Sequence, residues 1–462
     1  MFQKNRAFQR LTEHLGQDGT DFLDYALAGI TRILPHTEVC RWNVANHQQS
    51  KTGAAWGSAA RRQLKLTIGL AVGNTGDTDY FTLSATLQRK TAPTGVGHVQ
   101  RTIDKRERDI CERIIERIPR VLNRPTEERN RESLLAIRTL FDEQIVASHV
   151  QHHHDLKLDL SNIFTALRNV AEQSYENKSL TFGCLLDPGQ TSQPSKNGKF
   201  PEDVLAWKRY KALSDGYRTA YRVSTHGRTV RFEDLMDDSG LSIGTHIYPE
   251  WCEFLAKASQ NTVCGVCLTR QGDILVFDAD TLRFTYRYGR WQYWNHTHII
   301  DLLKSRARAQ RVRPQIITKV VKAIYRAALD VSFRRCGGLF VLLHNRNSLR
   351  EMALLGDAID DGKRESIHTD FDKALPSCQI QTLSRRLLVG LASLDGAVVL
   401  NNHGQIMAYG AVLNPRRKGK IGPAEGSRTK AAIGASKYGI SVKVSSDGDI
   451  TFYENGKSFF SA

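Results

Sequence analysis

Residues 394–412 read LDGAVVLNNHGQIMAYGAV, two apolar runs joined by Asn401-Asn402-His403-Gly404. Apolar runs of this length on either side of a polar, glycine-containing turn are a strand, a turn and a second strand, so the last third of the chain must build a sheet. Asp395, just ahead of the first run, is either turn chemistry or an acid held out for a ligand.

The surroundings extend the sheet. A helical pattern over 316–334 leads through Cys336-Gly337-Gly338 into the apolar strand LFVLLH at 339–344. A helix-rich stretch containing SRRLLVGLASL (384–394) precedes the quoted pair, and a helical segment and a last hairpin, ISVKVSSDGDITFYENGK (440–457), follow it. Asp447-Gly448 is that hairpin's turn. These elements predict one domain over 315–462, a central mixed sheet flanked by helices.

At 462 residues the chain is long enough for more than one core. Residues 1–125 read as an α+β region, with a helix over 21–34, two candidate strands at 61–72 and 78–89, and a charged helix over 103–122. A helical connector over 126–178 holds helices at 127–150 and 156–177, the latter with Leu156, Leu158, Leu160, Ile163, Leu167 and Val170 at roughly helical spacing. Strand signals then dominate 179–310: 180–187, 219–224, 262–269, 273–279 and 282–288, with a helix at 249–259. That order suits an α+β sensor module of the GAF or PAS sort, by fold analogy. The whole is an α/β (α+β) multidomain chain.

Hydrophobic residues make up 40% and charged residues 24%, the balance of a folded globular protein. No apolar run reaches the roughly 18–20 residues needed to span a bilayer, and the N-terminus has no signal-peptide core. The expectation is a cytoplasmic protein with no membrane partner. Its eight cysteines are expected to be reduced. Cys264 and Cys267 form the one close pair, and with no second ligand pair in view a β-strand accounts for them better than zinc.

The net charge of +17 favours anionic partners, nucleotide or nucleic acid, though no nucleic-acid motif accompanies it. It is spread over the 101–124 helix, KSRARAQRVRP (304–314) and RRKGK (416–420). YRYGRWQYWN (286–295) interleaves rings and cations; it reads first as a strand end packing on a core and second as a base-stacking surface. His149, His152, His153, His154 and Asp155 crowd one helix end, a polar surface cluster in the first reading and a metal site in the second.

Two elements carry chemistry. In the first, small residues after Asp395 let a ligand approach the backbone, and an acid at a strand start can take a sugar hydroxyl or a divalent cation. The second is Gly426-Ser427-Arg428-Thr429-Lys430-Ala431-Ala432, opening onto a helix. Backbone N–H groups, the helix dipole and two cations all favour an anion there. Some 30 residues apart in one small domain, they suggest a nucleotide clamp, the acid on ribose or metal and the basic turn on phosphates.

On these residues, about 315–462 resembles the diadenylate cyclase (DAC) domain family, the nucleotide-binding domain of the DNA-integrity scanning protein type. The family's Asp-Gly-Ala motif matches Asp395, Gly396 and Ala397, and VVLNNHGQIMAYGAVLNP matches its strand-turn-strand. The adenine-contacting small residue and leucine fall on Ala411 and Leu413. The family's Gly-Thr-Arg-His-Arg turn corresponds to Gly426, Ser427, Arg428, Thr429 and Lys430, and its closing serine and valine-rich strand match Ser436 and VKVSSDGDITFYENG.

The resemblance implies a nucleotidyltransferase that condenses two ATP into cyclic di-AMP, a second messenger of bacteria, and releases two pyrophosphates. Two domains of a face-to-face homodimer would each bind one ATP, each 3′-hydroxyl attacking the other's α-phosphate. It further implies a divalent metal, Mg or Mn, with Asp395 as catalytic acid and metal ligand. Gly396, Ala397, Leu413, Ser427, Arg428, Thr429, Lys430 and Ser436 would bind the nucleotide. The sensor-like regions would control how the domains face.

Three positions depart from the family pattern. Thr429 replaces a histidine, and Lys430 an arginine with its planar fork. Lys437 stands where active members carry an acid, which is expected to oppose a metal unless Glu425 or Asp447 supplies the charge. The alternative that follows is a catalytically degenerate sensor that binds a nucleotide or cyclic dinucleotide without turning it over.

Overall fold

The computed structural model describes residues 2, 5–35, 37–39, 41–47, 63–74, 77–89, 103–122, 134–190, 199–206, 208–236, 247–307, 312–353, 378–413 and 426–462. The RRKGK run at 416–420 and Glu425 lie outside them. The described residues fall into two compact units, one from 1–91, 100–246 and 251–294 and one from Ile247–Glu250 and Asn295–Ala462. The architecture is α+β with mixed sheets. Among the described residues, no helix is long and apolar enough to cross a membrane.

In the first unit, α1 (Arg6–Ile33) starts well before the expected 21–34. Asn5 caps it by accepting from the Phe8 N–H at 2.8 Å. Leu11 and Leu15 continue its buried stripe toward the N-terminus. Gly16 at φ +66° takes the kink that other residues would resist. The four-stranded sheet β1 (Thr37–Val39), β2 (Asn43–His47), β3 (Gln63–Asn74) and β4 (Asp77–Arg89) contains the expected hairpin as β3–β4.

Helices α2 (Lys105–Leu122), α3 (Leu134–His153) and α4 (Leu160–Ala171) follow. The last starts later than the expected 156 because Asp159 caps it, accepting from the Asn162 N–H. A small ladder, β5 (Ser174–Tyr175) with β6 (Lys178–Ser179), leads to a seven-stranded sheet.

That sheet holds β7 (Phe182–Asp187), β8 (Thr219–Ser224), β9 (Thr229–Asp234), β10 (Cys264–Leu268), β11 (Ile274–Asp278), β12 (Thr281–Arg287) and β13 (Arg290–Tyr293). Its order is β13-β12-β11-β10-β7-β8-β9, antiparallel except for the β7–β8 pair. Cys264 and Cys267 are buried strand residues of β10, and burial pushes the Cys264 thiol far above its usual value. Of the aromatic run, Trp291, Tyr293 and Trp294 are buried while Tyr288 is exposed at the β12–β13 turn. One continuous apolar cluster runs from Leu11 through Trp42, Ile114, Phe164 and Phe182 to Tyr293, so the helices and both sheets share a core.

The second unit has α5 (His296–Arg306), α6 (Pro314–Phe333), α7 (Arg385–Ser393) and α8 (Ser427–Ala435) around a six-stranded sheet. Its strands are β14 (Gly338–Leu343), β15 (Ala397–Leu400), β16 (Ile406–Ala411), β17 (Gly439–Val444), β18 (Ile450–Glu454) and β19 (Lys457–Ser461), in the order β16-β15-β14-β17-β18-β19. The last strand is an addition to the expected hairpin. Only β14–β15 is parallel.

Every residue of β14 is buried, which requires cover on both faces. Leu339, Val341, Leu343, Ala397 and Val399 share a cluster with Ala432 and Ala435 of α8. By strand alternation, Phe340, Leu342, Val398 and Leu400 face the opposite side. Arg385 of α7 ties that helix to α6 through a two-pronged ion pair with the fully buried Asp330, at 2.7 and 2.8 Å.

Candidate active site

Strand register gathers the candidate residues. In the parallel pair, Phe340 lies opposite Val398 and Leu342 opposite Leu400. Asp395 lies two residues ahead of β15, at the end of the sheet where β14 begins. The antiparallel β14–β17 pair sets Gly338 opposite Val444, so the turn after β17, which contains Asp447, reaches the same end of the sheet. On the other flank Ala397 lies opposite Ala411, which brings Leu413 there too.

Asp395 is exposed, and its carboxylate accepts no hydrogen bond from the described residues. Gly396 beneath it has φ +112°, and a Cβ there would lie 2.3 Å from the carbonyl carbon of Gly410. Only glycine fits a backbone pressed this closely on its neighbour in a left-handed conformation. The chain is thereby held so that Asp395 stands clear while Ala397, two residues on, is buried in the core.

The basic turn arrives from the other direction. The C-terminal end of α8 is fixed near the end of β14, where the His344 N–H donates to the Tyr438 carbonyl at 3.0 Å. Its N-terminus therefore points back to the Gly337 end. There the Arg428 guanidinium lies against the Gly337 backbone, its Nη1 only 1.9 Å from where a Cβ would sit. Gly337, just ahead of β14, makes room for that cation, while a Cβ on Gly338 would meet Val331 and Ala392 instead. This was a role for Gly337 missed in the sequence, although the Gly337-Gly338 pair ahead of an apolar strand is its signal.

Gly426 caps α8 without a side chain, and a Cβ there would meet nothing within 4 Å. The amides of Ser427, Arg428 and Thr429 consequently have no capping partner among the described residues, and the positive end of the helix is open. Ser427 is exposed, as is Arg428's neighbour Gly426, and Arg428, Thr429 and Lys430 are half-buried. Lys443 of β17 adds an ammonium, donating to Thr429 Oγ1 at 3.1 Å. It too was missed, since one lysine in an alternating strand carries no signal of its own. Cations and uncapped amides facing one place are an anion site.

The remaining expected residues have other surroundings. Leu413 is buried and bridges Ala353. Ser436 is buried, its hydroxyl donating to the Ile433 carbonyl at 2.8 Å and accepting from the Gly456 N–H at 2.9 Å. Lys437 packs its stem toward Gly456, in the β18–β19 turn beyond Glu454, which pairs with Ile440. That is the far end of the sheet from Asp395, roughly 17 Å along β14 at a strand's rise per residue. At such a distance, beyond a Debye length, the Lys437 charge is largely screened from anything bound at Asp395.

The donor set at the Gly337 end also bears on a divalent metal. Among the described residues, no group of three potential ligands close enough to cage an ion includes Asp395. Asp395 precedes β15 and Asp447 follows β17, with β14 between those two strands. Mg²⁺ and Mn²⁺ at nucleotide sites take one or two carboxylates and fill the rest with phosphate oxygens and water. The residues present fit an ion that arrives with a triphosphate, not a resident all-protein centre.

No protein-family model matches this sequence, and no curated protein matches it. Solved structures do, and two of them are as follows. DacA from Staphylococcus aureus, crystallised as a double mutant, is 23% identical over 30% of this chain and 84% of its own, with a TM-score of 0.22. A hypothetical membrane spanning protein from Bacillus cereus is 20% identical over 35% of this chain and 74% of its own, with a TM-score of 0.23.

Proposed function

We propose that the second unit is a nucleotide-binding unit of the diadenylate cyclase type, and that the chain condenses two ATP into cyclic di-AMP. The observation that carries this reading is the meeting of Asp395, the Arg428 guanidinium and the open N-terminus of α8 at one end of one sheet. A nucleoside triphosphate needs that combination: an acid for ribose or metal, and cations with uncapped amides for phosphates.

In this scheme the α8 amides with Arg428, Lys430 and Lys443 hold the triphosphate and spread the charge that develops as pyrophosphate leaves. Asp395 orients the attacking 3′-hydroxyl by accepting its proton in a hydrogen bond. The backbone at Leu413 and the buried wall of Ala397 and Ala411 shape the place for the base. A divalent ion bound with the nucleotide, with Asp395 as its protein ligand, would supply neutralisation of the phosphates. Two second units must face each other, because one bound nucleotide provides the hydroxyl and the other the α-phosphate.

One observation favours a second reading, a sensor that binds without turnover. Thr429 occupies the place of the family's histidine, and its hydroxyl is engaged by Lys443. A threonine neither titrates near neutral pH nor ligates a metal as imidazole does.

Incubation with labelled ATP and Mn²⁺ or Mg²⁺, followed by product separation, decides between them. The cyclase requires a cyclic dinucleotide from the native chain and none from Asp395→Asn. Absence of product from both, with nucleotide binding that is lost in Arg428→Ala, establishes the sensor instead.

A further inference from the structure

The first unit holds a second constellation, independent of the nucleotide site. His153 ends α3, His154 follows it, and Asp278 ends β11. One ligand atom from each lies within 4.8 Å of the others. His154 and Asp278 are each 5% exposed while His153 is exposed, so two buried donors meet a third at the surface.

Hydrogen bonding fixes what these groups offer. His154 Nδ1 lies 2.8 Å from the Thr262 carbonyl oxygen, which can only accept, so Nδ1 carries the proton. Burial pulls the His154 pKa down, against Asp278 and the Thr262 carbonyl, which favour the protonated ring. Its Nε2 stands 3.5 Å from Asp278 Oδ1. His153 Nε2 stands 3.7 Å from Asp278 Oδ2 and is 3.2 Å from Arg106 Nη2, a donor, so it presents a lone pair. Burial and Arg106 both lower the His153 pKa.

The three groups converge on a place where a guanidinium stands. Arg106 of α2 makes a close ion pair with Asp278 Oδ2, and its side chain is 26% exposed. Arg283 Nε is 3.8 Å from the same oxygen. His149 stacks on His153 and is paired through Nδ1 with Asp109, so it is turned away from this role.

We propose that His153, His154 and Asp278 bind a transition-metal dication of the Zn²⁺ or Co²⁺ class, and that Arg106 is its built-in competitor. Two imidazoles and a carboxylate are a donor set these ions take, with open positions left for water or a ligand. The Nδ1–H bond from His154 to a backbone carbonyl is the outer contact that orients metal-binding imidazoles. Arg106, on a partly exposed stem, turns to solvent when the ion enters, while Arg283 remains and sets an upper limit on affinity.

The test is titration of the full chain with Co²⁺, read by its visible absorption, and with Zn²⁺ by competition and calorimetry. One equivalent is expected, lost in both His154→Ala and Asp278→Asn. With the guanidinium in place about nine-tenths of the time, Arg106→Gln tightens the apparent affinity about tenfold. Arg106→Gln changes a partly exposed residue and so tests the idea even where the buried variants misfold. Failure to bind, binding that survives His154→Ala at undiminished affinity, or an Arg106→Gln affinity equal to that of the native chain would each overturn the proposal.

Discussion

Asp395 depends on the residue behind it. Gly396→Ala forces a side chain onto a backbone at φ +112° and into the Gly410 carbonyl. The conformation alone costs about 1–3 kcal/mol. A matching fall in the urea midpoint, together with loss of nucleotide binding, is the expected result. Arg428 is expected to behave differently. Its guanidinium has no ion-pair partner among the described residues, so Arg428→Lys leaves stability within about 0.5 kcal/mol. Nucleotide affinity still falls, because an ammonium lacks the planar fork. Thermal melts and equilibrium binding on the same two variants separate the effects. In the linear chain Asp395 is visibly followed by small residues. That Gly396 is required by a contact with Gly410 was not visible, because the two are brought together only by β15–β16 pairing.

Among the elements of the first unit, three strands are tied by one arginine. Arg222 of β8 reaches Asp187 of β7 at 2.7 Å and Glu233 of β9 at 2.5 Å, with all three side chains largely buried. Burial works to raise the Glu233 carboxyl, but hydrogen bonds from Arg222 and Arg231 outweigh it and hold the group below its ordinary 4.5. A carboxylate with a depressed native pKa contributes stability above its unfolded value and loses it as pH falls through the native one. The stability gap between native protein and Arg222→Met is therefore expected to be full above about pH 5 and to close as Glu233 protonates, by denaturant melts across roughly pH 3–7. In the second unit the Arg385–Asp330 pair holds α7 to α6. Arg385→Met strands a buried carboxylate and is expected to cost about 3–5 kcal/mol in chemical denaturation. The strands and helices that carry these pairs were mostly legible, since burial pattern and period are local. The early start of α1 and the extra strand β19 were not, because their apolar positions are sparse in sequence and become a face only against the core.

For the molecule as a whole, the proposed chemistry needs two nucleotides presented face to face. Specific activity is expected to rise with protein concentration and then level off, as mass action populates the pair. Activity that stays flat down to concentrations where light scattering reports only monomers would remove the need for facing units. The charge of +17 bears on the same assay: it draws anionic nucleotide to the protein, and added salt is expected to slow that encounter. The spread of that charge in the sequence said nothing of where cations gather. Arg428 and Lys443 come to one end of the sheet because α8 folds back over β14 and β17, whereas Lys437, close to the basic turn in the chain, is carried to the opposite end.

Local residue order was enough for the alternation of strands and helices, the turn types and the Asp-Gly-Ala and basic-turn motifs, since each depends on residues within a few positions of one another. Which of those pieces meet was settled by the packed fold. The pairing of β14 with β15 brings Asp395 to the same end of the sheet as Gly337 and Arg428, and the packing of α3 near β11 supplies Asp278 to a histidine pair that looked like surface. Both outcomes rest on strand register and helix direction, which are set by the burial of whole faces and not by any one local stretch of chain.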